Sequence, residues 1–169
     1  MRVRSETDAD RAAIRAVNEA AFESSLEADI VDALRSKRIE LVSLVAERDG
    51  GVLGHILFSP VSLDKHGELK LMALGPMAVV PRHQREGIGS RLVREGLIRC
   101  RQLGVQAVVV VGHPQYYPRF GFTAASRYGV RCEYDVPDDV FMLLELARGA
   151  LSGVSGLVTY DQVFGGAGH

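Results

Sequence analysis

Over the first quarter of the chain, apolar residues recur at helical spacing; after that the period changes. Ile14, Val17, Ala21 and Phe22 fall on one stripe, which predicts a helix capped by Thr7 or Asp8 after a short strand at Val3-Arg4. Leu26, Ile30, Val31 and Leu34 form a second stripe and predict a helix over residues 26–35. Residues 41–47 and 52–58 then read as antiparallel strands around a hairpin turn at Asp49-Gly50-Gly51. Lys65-His66-Gly67 marks another turn, and a long strand follows over residues 69–80, with Pro81 past its end.

Pro76 lies inside that strand and has no N–H for a ladder, so it predicts an interruption of pairing there. Residues 87–103 return to helical spacing. They bury Ile88, Leu92, Gly96 or Leu97, and Cys100, turn Arg91, Arg94 and Arg101 outward, and stop at Gly104. The β-branched run over residues 105–111 has the pattern of a strand covered on both faces. Strand, helix and strand in this order form a βαβ unit, which makes the two strands parallel. Residues 140–146 and 156–164 predict two further strands, and the glycine-rich tail over residues 165–169 is expected to fray. Neither an internal repeat nor a linker divides the sequence, so a single domain over residues 1–169 is expected.

Composition narrows the function more than the fold. A chain of 169 residues with 47% apolar side chains can bury a sizeable core. Twenty basic and 21 acidic side chains leave a net charge of −1, which gives no long-range attraction to nucleic acid. Cys100 and Cys132 form no CxxC and join no histidine cluster, so neither a disulfide framework nor a metal site is expected. With no visible signal peptide and no apolar run of membrane-spanning length, the expectation is a cytoplasmic protein without a membrane partner.

The chemistry concentrates at Gln84-Arg85-Glu86-Gly87-Ile88-Gly89-Ser90, where two glycines open a helix. Such a turn presents successive backbone N–H groups at the positive end of the helix dipole, a seat for an anion and above all a phosphate. A dinucleotide fingerprint would need glycine or alanine where Leu92 stands, and a Walker loop would end in Gly-Lys-Ser/Thr, which the chain lacks. The pattern that fits is Gln/Arg-x-x-Gly-x-Gly/Ala after a long strand. Together with the interruption at Pro76 and the Tyr116-Tyr117-Pro118-Arg119-Phe120-Gly121-Phe122 loop, it resembles the GNAT superfamily of acyl-CoA-dependent N-acyltransferases.

That resemblance covers nearly the whole length, and what it implies is specific. The fold would be α/β (α+β): a mixed, mostly antiparallel sheet with a central, splayed parallel strand pair and helices on both faces. The co-substrate would be acetyl-CoA, without a metal. Its pyrophosphate would rest on the amides of residues 85–90, with Gln84 and Glu86 in the same turn and Arg82, Arg85 or Arg91 adding charge. Met77, Ala78 and Val79 would offer backbone groups to the pantetheine arm, and an N–H of Ala78 or Met77 would polarise the thioester carbonyl. Tyr117, four residues before Gly121, would occupy the place of the general acid that protonates the departing thiolate. For the general base the sequence offers His113, which titrates near neutrality, and also Glu68, His55 and Glu145. The acceptor would be the amine of a small molecule or peptide, and a homodimer is compatible with the family. Two other readings stand beside this one: a non-catalytic acyl-CoA-binding or sensing domain of the same fold, and a nucleotide-phosphate enzyme.

Overall fold

In a computed structural model that describes residues 1–166, the two apolar stripes fold into α1 (Arg11–Phe22) and α2 (Leu26–Ser36). Strand β1 (Arg2–Ser5) precedes them and a short 3-10 turn at Asp8–Asp10 leads into α1. Thr7 opens that turn, its N–H donating to the Asp10 carboxylate at 2.7 Å. Ile14, Val17, Ile30, Val31 and Leu34 are buried as the stripes predict, whereas Phe22, the last residue of α1, is exposed. Arg15 joins the two helices through Asp29 at 2.7 Å and Asp32 at 2.8 Å.

Strands β2 (Val42–Arg48) and β3 (Gly51–Leu63) form the expected hairpin. Asp49 and Gly50 both take positive φ, 52° and 79°, the twist a two-residue hairpin turn requires. β4 covers Leu71–Val79, α3 Ile88–Gln102 and β5 Ala107–Val111. The remaining strands are β6 (Thr123–Ala124), β7 (Val130–Cys132), β8 (Phe141–Glu145) and β9 (Gly156–Thr159). The last expected strand is shorter than predicted, because residues Gln162–Gly166 coil into a 3-10 helix. Of the tail expected to fray, residues 167–169 lie outside the described residues.

Successive pairings run β1-β2-β3-β4-β5-β8-β6 in a mixed sheet of nine strands, with β9 joining β3 and β7. β4 and β5 are parallel, as the βαβ reading requires, in register at Leu71↔Ala107, Met72↔Val108 and Ala73↔Val109. The registered pairs end there, although β4 continues to Val79 and β5 to Val111. A second parallel pair, β7 with β9, has no counterpart in the sequence pattern.

The chain forms two compact units, residues 1–59 with 75–99, and residues 60–74 with 100–166. In the first, β3 carries helices on both faces. His55 faces α1, where Asn18 meets its ring. The alternate residues Gly54 and Phe58 face α3. The Phe58 ring lies so close to Gly96 of α3 that a Cβ there would overlap it, and one on Gly54 would meet Leu92 at 3.0 Å and Ile88 at 3.1 Å. α3 thus approaches β3 through glycines on either side of the contact. Arg4 closes the opposite face, holding Asp10 at 2.7 and 3.0 Å and Glu47 at 2.6 Å. The second unit has a core that includes Leu71, Ala107, Val109, Phe141, Leu143 and Val158. Among the described residues no helix is long and apolar enough to cross a membrane.

Candidate active site

The glycine turn belongs to the first unit. β4 ends against β3, Val80 N–H donating to Leu53 O at 2.9 Å. A 3-10 turn at Pro81–His83 then reverses the chain. Arg85 and Gly87 both take left-handed φ, 65° and 86°, which swings the backbone into α3. The first helical bond is Arg91 N–H to Gly87 O at 3.1 Å, so the amides of the Arg85–Gly87 turn stand at the N-terminus of α3, its positive end. A Cβ built on Gly87 would project into open space, leaving the approach to those amides clear. An anion can therefore reach the backbone here.

Side chains around the turn are already committed. Gln84 Nε2 donates to Val79 O at 3.0 Å and ties the turn to the end of β4. The Glu86 carboxylate is set on His83 Nδ1 at 3.1 Å with Arg48 at 3.8 Å, so its negative charge is answered from two sides. Arg91 donates to Met1 O at 3.0 Å, while Arg82 and Arg85 are exposed.

Backbone direction at the end of β4 follows from alternation. Val80 addresses β3, and the Ala78 carbonyl does the same, lying 3.2 Å from a Cβ built on Gly54. The intervening residues, Met77 and Val79, then turn their N–H and C=O groups away from β3.

Tyr117 and His113 belong to the second unit. Past β5, Gly112 N–H donates to Val140 O at 3.0 Å, and the His113 carbonyl accepts from Tyr116 N–H at 3.0 Å and Tyr117 N–H at 3.3 Å. This turn leads into a 3-10 helix at Tyr117–Phe120, which Gly121 ends with φ 101°. The two tyrosines separate as expected. The Tyr117 side chain is buried, edge-on to Tyr116 at 5.0 Å and to Phe122 at 5.7 Å. Tyr116 is half-buried beneath the Arg119 guanidinium, 4.5 Å from its ring centre. Burial, and secondarily Tyr116, pushes the Tyr117 phenol well above the ordinary tyrosine range, so it stays protonated at any physiological pH.

The four base candidates divide sharply. Glu145 is occupied: its two carboxylate oxygens accept Gly149 N–H at 3.1 Å and Leu151 N–H at 2.9 Å, so it caps the turn that follows β8. His55 is buried and held at both nitrogens, by Asn18 Nδ2 at 3.2 Å and Ser43 Oγ at 2.9 Å. Desolvation, then the Arg35 charge, pushes it down to about 3. Glu68 is exposed beside His66 at 3.5 Å, and His113 is exposed. The residue missed by sequence reasoning is Gly112, whose need for a hydrogen in place of a side chain is set by Tyr117.

A mixed sheet with one parallel central pair, a glycine turn opening a helix and a buried tyrosine after the next strand define an acyl-CoA-dependent transferase class. The family model of the acetyltransferase (GNAT) domain matches residues 2–125. An uncharacterised N-acetyltransferase of Escherichia coli, YhbS, is 39% identical over 97% of this chain and 98% of its own. Its crystal structure in complex with CoA superposes with a TM-score of 0.92, covering 97% of this chain and 91% of that one. A GNAT acetyltransferase from Brucella melitensis, solved with acetyl-CoA, has a TM-score of 0.79 at 39% identity, with 96% and 97% of the two chains covered. The chain belongs to the GNAT family of acetyltransferases.

Proposed function

We propose that the chain is a single cytoplasmic acetyltransferase domain that moves the acetyl group of acetyl-CoA to a primary amine by direct attack. The observation that carries this reading is the turn at Arg85–Gly87, a left-handed backbone that opens α3 with its amides accessible. Two relatives with 36% and 39% identity, one solved with CoA and the other with acetyl-CoA, support it.

In this reading the amides of Arg85, Glu86, Gly87, Ile88, Gly89 and Ser90 hold the pyrophosphate at the positive end of the α3 dipole. Gln84 acts through Val79, fixing the turn on β4. Met77, its amide directed away from β3, donates to the thioester carbonyl as negative charge builds there, with Ala78 and Val79 shaping the same stretch. His113 accepts a proton from the acceptor ammonium before attack. The Tyr117 hydroxyl gives its proton to the departing thiolate, a task for which a buried, protonated phenol is suited. Of the four candidate bases, His113 is preferred because Glu145 and His55 are consumed by structural bonds, and because it stands four residues before Tyr117.

The test is release of CoA thiol from acetyl-CoA with a panel of primary amines, alongside thermal shifts with acetyl-CoA, ATP and NAD. Stabilisation by acetyl-CoA and thiol release with at least one amine are expected. Tight binding without turnover by any amine would favour a sensing domain, and stabilisation by ATP alone would overturn the assignment.

A further inference from the structure

Gly112 follows β5 in ordinary backbone; its φ is not in the left-handed region, so its own conformation would accept any L-residue. The turn bond it donates, to Val140 O at 3.0 Å, comes from the main chain and is likewise indifferent to side-chain type. What excludes a side chain is Tyr117. A Cβ built on Gly112 would overlap Cε2 of the Tyr117 ring and lie 2.9 Å from Cδ2 and 3.4 Å from Cζ, the carbon that bears the hydroxyl. The first two of these contacts are shorter than real Cβ atoms make, and the overlapped atoms belong to a rigid ring with no flexible end to give way.

Three other aromatic rings pack around it. Tyr116 packs edge-on at an interplanar angle of 84°, Phe122 at 73°, and Phe120 lies 6.3 Å away at 54°. The loop that carries Tyr117 is itself folded back on His113, next to Gly112 in the chain. A methyl group at residue 112 would therefore have to rotate or displace the phenol against Tyr116, Phe120 and Phe122.

We propose that Gly112 is a positioning residue for acyl transfer: its missing side chain is the floor on which the Tyr117 ring rests, and it fixes where the phenolic proton is delivered. The inference rests on the reading of Tyr117 as the general acid and adds what aims it. Displacing a proton donor by a fraction of an ångström to an ångström costs on the order of ten- to a hundredfold in rate when alignment is part of catalysis.

The experiment is a double-mutant cycle with Gly112→Ala and Tyr117→Phe, read as CoA thiol release from acetyl-CoA with the fastest amine of a primary-amine panel. Gly112→Ala is expected to lower kcat about tenfold or more while KM for acetyl-CoA stays within about twofold, because the change acts on the acid and not on cofactor binding. In the Tyr117→Phe background the same change should alter kcat less than about twofold, since no proton donor is left to misplace. An equal loss in both backgrounds would make Gly112 merely structural and overturn the inference. Full activity of folded Gly112→Ala would do the same. Full activity of Tyr117→Phe alone, or no thiol release by the wild type, would instead remove the acid reading beneath it. A second arm needs no turnover: in urea unfolding, Gly112→Ala should lower the midpoint of the wild type but be tolerated by Tyr117→Ala, which opens the space. Equal destabilisation in both would contradict the ring contact itself.

Discussion

His55 donates from Nε2 to Ser43 Oγ at 2.9 Å, and its other nitrogen accepts from Asn18, so the imidazole is locked as the neutral tautomer in the middle of β3. Asn18 fixes the direction, because the same amide group also donates to Ile14 O at 3.0 Å. The Ser43 hydroxyl donates in turn to the Glu6 carboxylate, which Arg35 also holds at 3.0 and 3.1 Å. One hydrogen-bonded row thus links α1, β3, β2 and α2, its donors converging on the Glu6 carboxylate, from Asn18, His55 and Ser43 on one side and Arg35 on the other.

This row makes stability fall with acid. The folded state pushes His55 down to about 3, whereas the unfolded imidazole takes a proton below about pH 6.5. Between those values the unfolded chain binds more protons, so the contribution is complete above about pH 6.5 and is lost as pH falls toward 3. Urea unfolding should show a loss of roughly 3 kcal/mol between about pH 7 and pH 4 from this group. Asp10, held well below the usual carboxylate range first by its bond to Arg4, adds its own loss only at lower pH. His55→Gln should remove the slope between about pH 4.5 and 6.5. A wild-type curve as flat as the variant's would contradict the neutral assignment.

Gly87→Glu should abolish acetyl-CoA binding in calorimetry. The new carboxylate would project into the open approach to the turn, and a residue with a Cβ at φ 86° carries a backbone cost of about 1 kcal/mol as well. An unchanged affinity would move the pyrophosphate elsewhere.

Tyr117→Phe should lower kcat by about 10²-fold or more with acetyl-CoA affinity unchanged, as removal of a general acid requires. Because burial raises the phenol pKa, it remains a donor throughout the basic range. The wild-type rate should therefore climb with pH as more acceptor amine is neutral, with no fall up to about pH 10. A basic limb with a midpoint near 8 or 9 would assign the acid to another group.

Glu145→Ala should cost about 1–3 kcal/mol in unfolding free energy, since Gly149 and Leu151 N–H lose their acceptor. Turnover of the folded variant should match the wild type. A tenfold loss of kcat without loss of stability would restore Glu145 as a base.

Much of this architecture is legible in the chain because it is local. The Asp49-Gly50 turn requires positive φ at two residues, and the mostly β-branched run at 105–111 has the pattern of a strand covered on both faces; each is visible as residue type and spacing. The glycine turn is readable for the same reason. β6 and β7 are not, because two and three residues give no period, and their pairing is set by β8 and β9. Val93 is buried beside Leu92, although the stripe assigned to α3 omits it. β3 extends past Phe58 through Pro60 to Leu63, where pairing with β9 sustains it. The fates of His55 and Glu145 were equally hidden. Their partners, Asn18 and Ser43 for one and the Gly149 and Leu151 amides for the other, are matters of tertiary approach.

Neither compact unit is a continuous piece of polypeptide: each is assembled from separated stretches, with β3 divided after Ser59, β4 after Leu74 and α3 after Arg99. No single cut in the gene can therefore release one half intact. Shortening from either terminus removes parts of a unit, never a whole one, and an autonomous fragment would require stitching the two stretches with a new connector. For recombination and for protein engineering alike, each unit depends on two separated stretches of the chain.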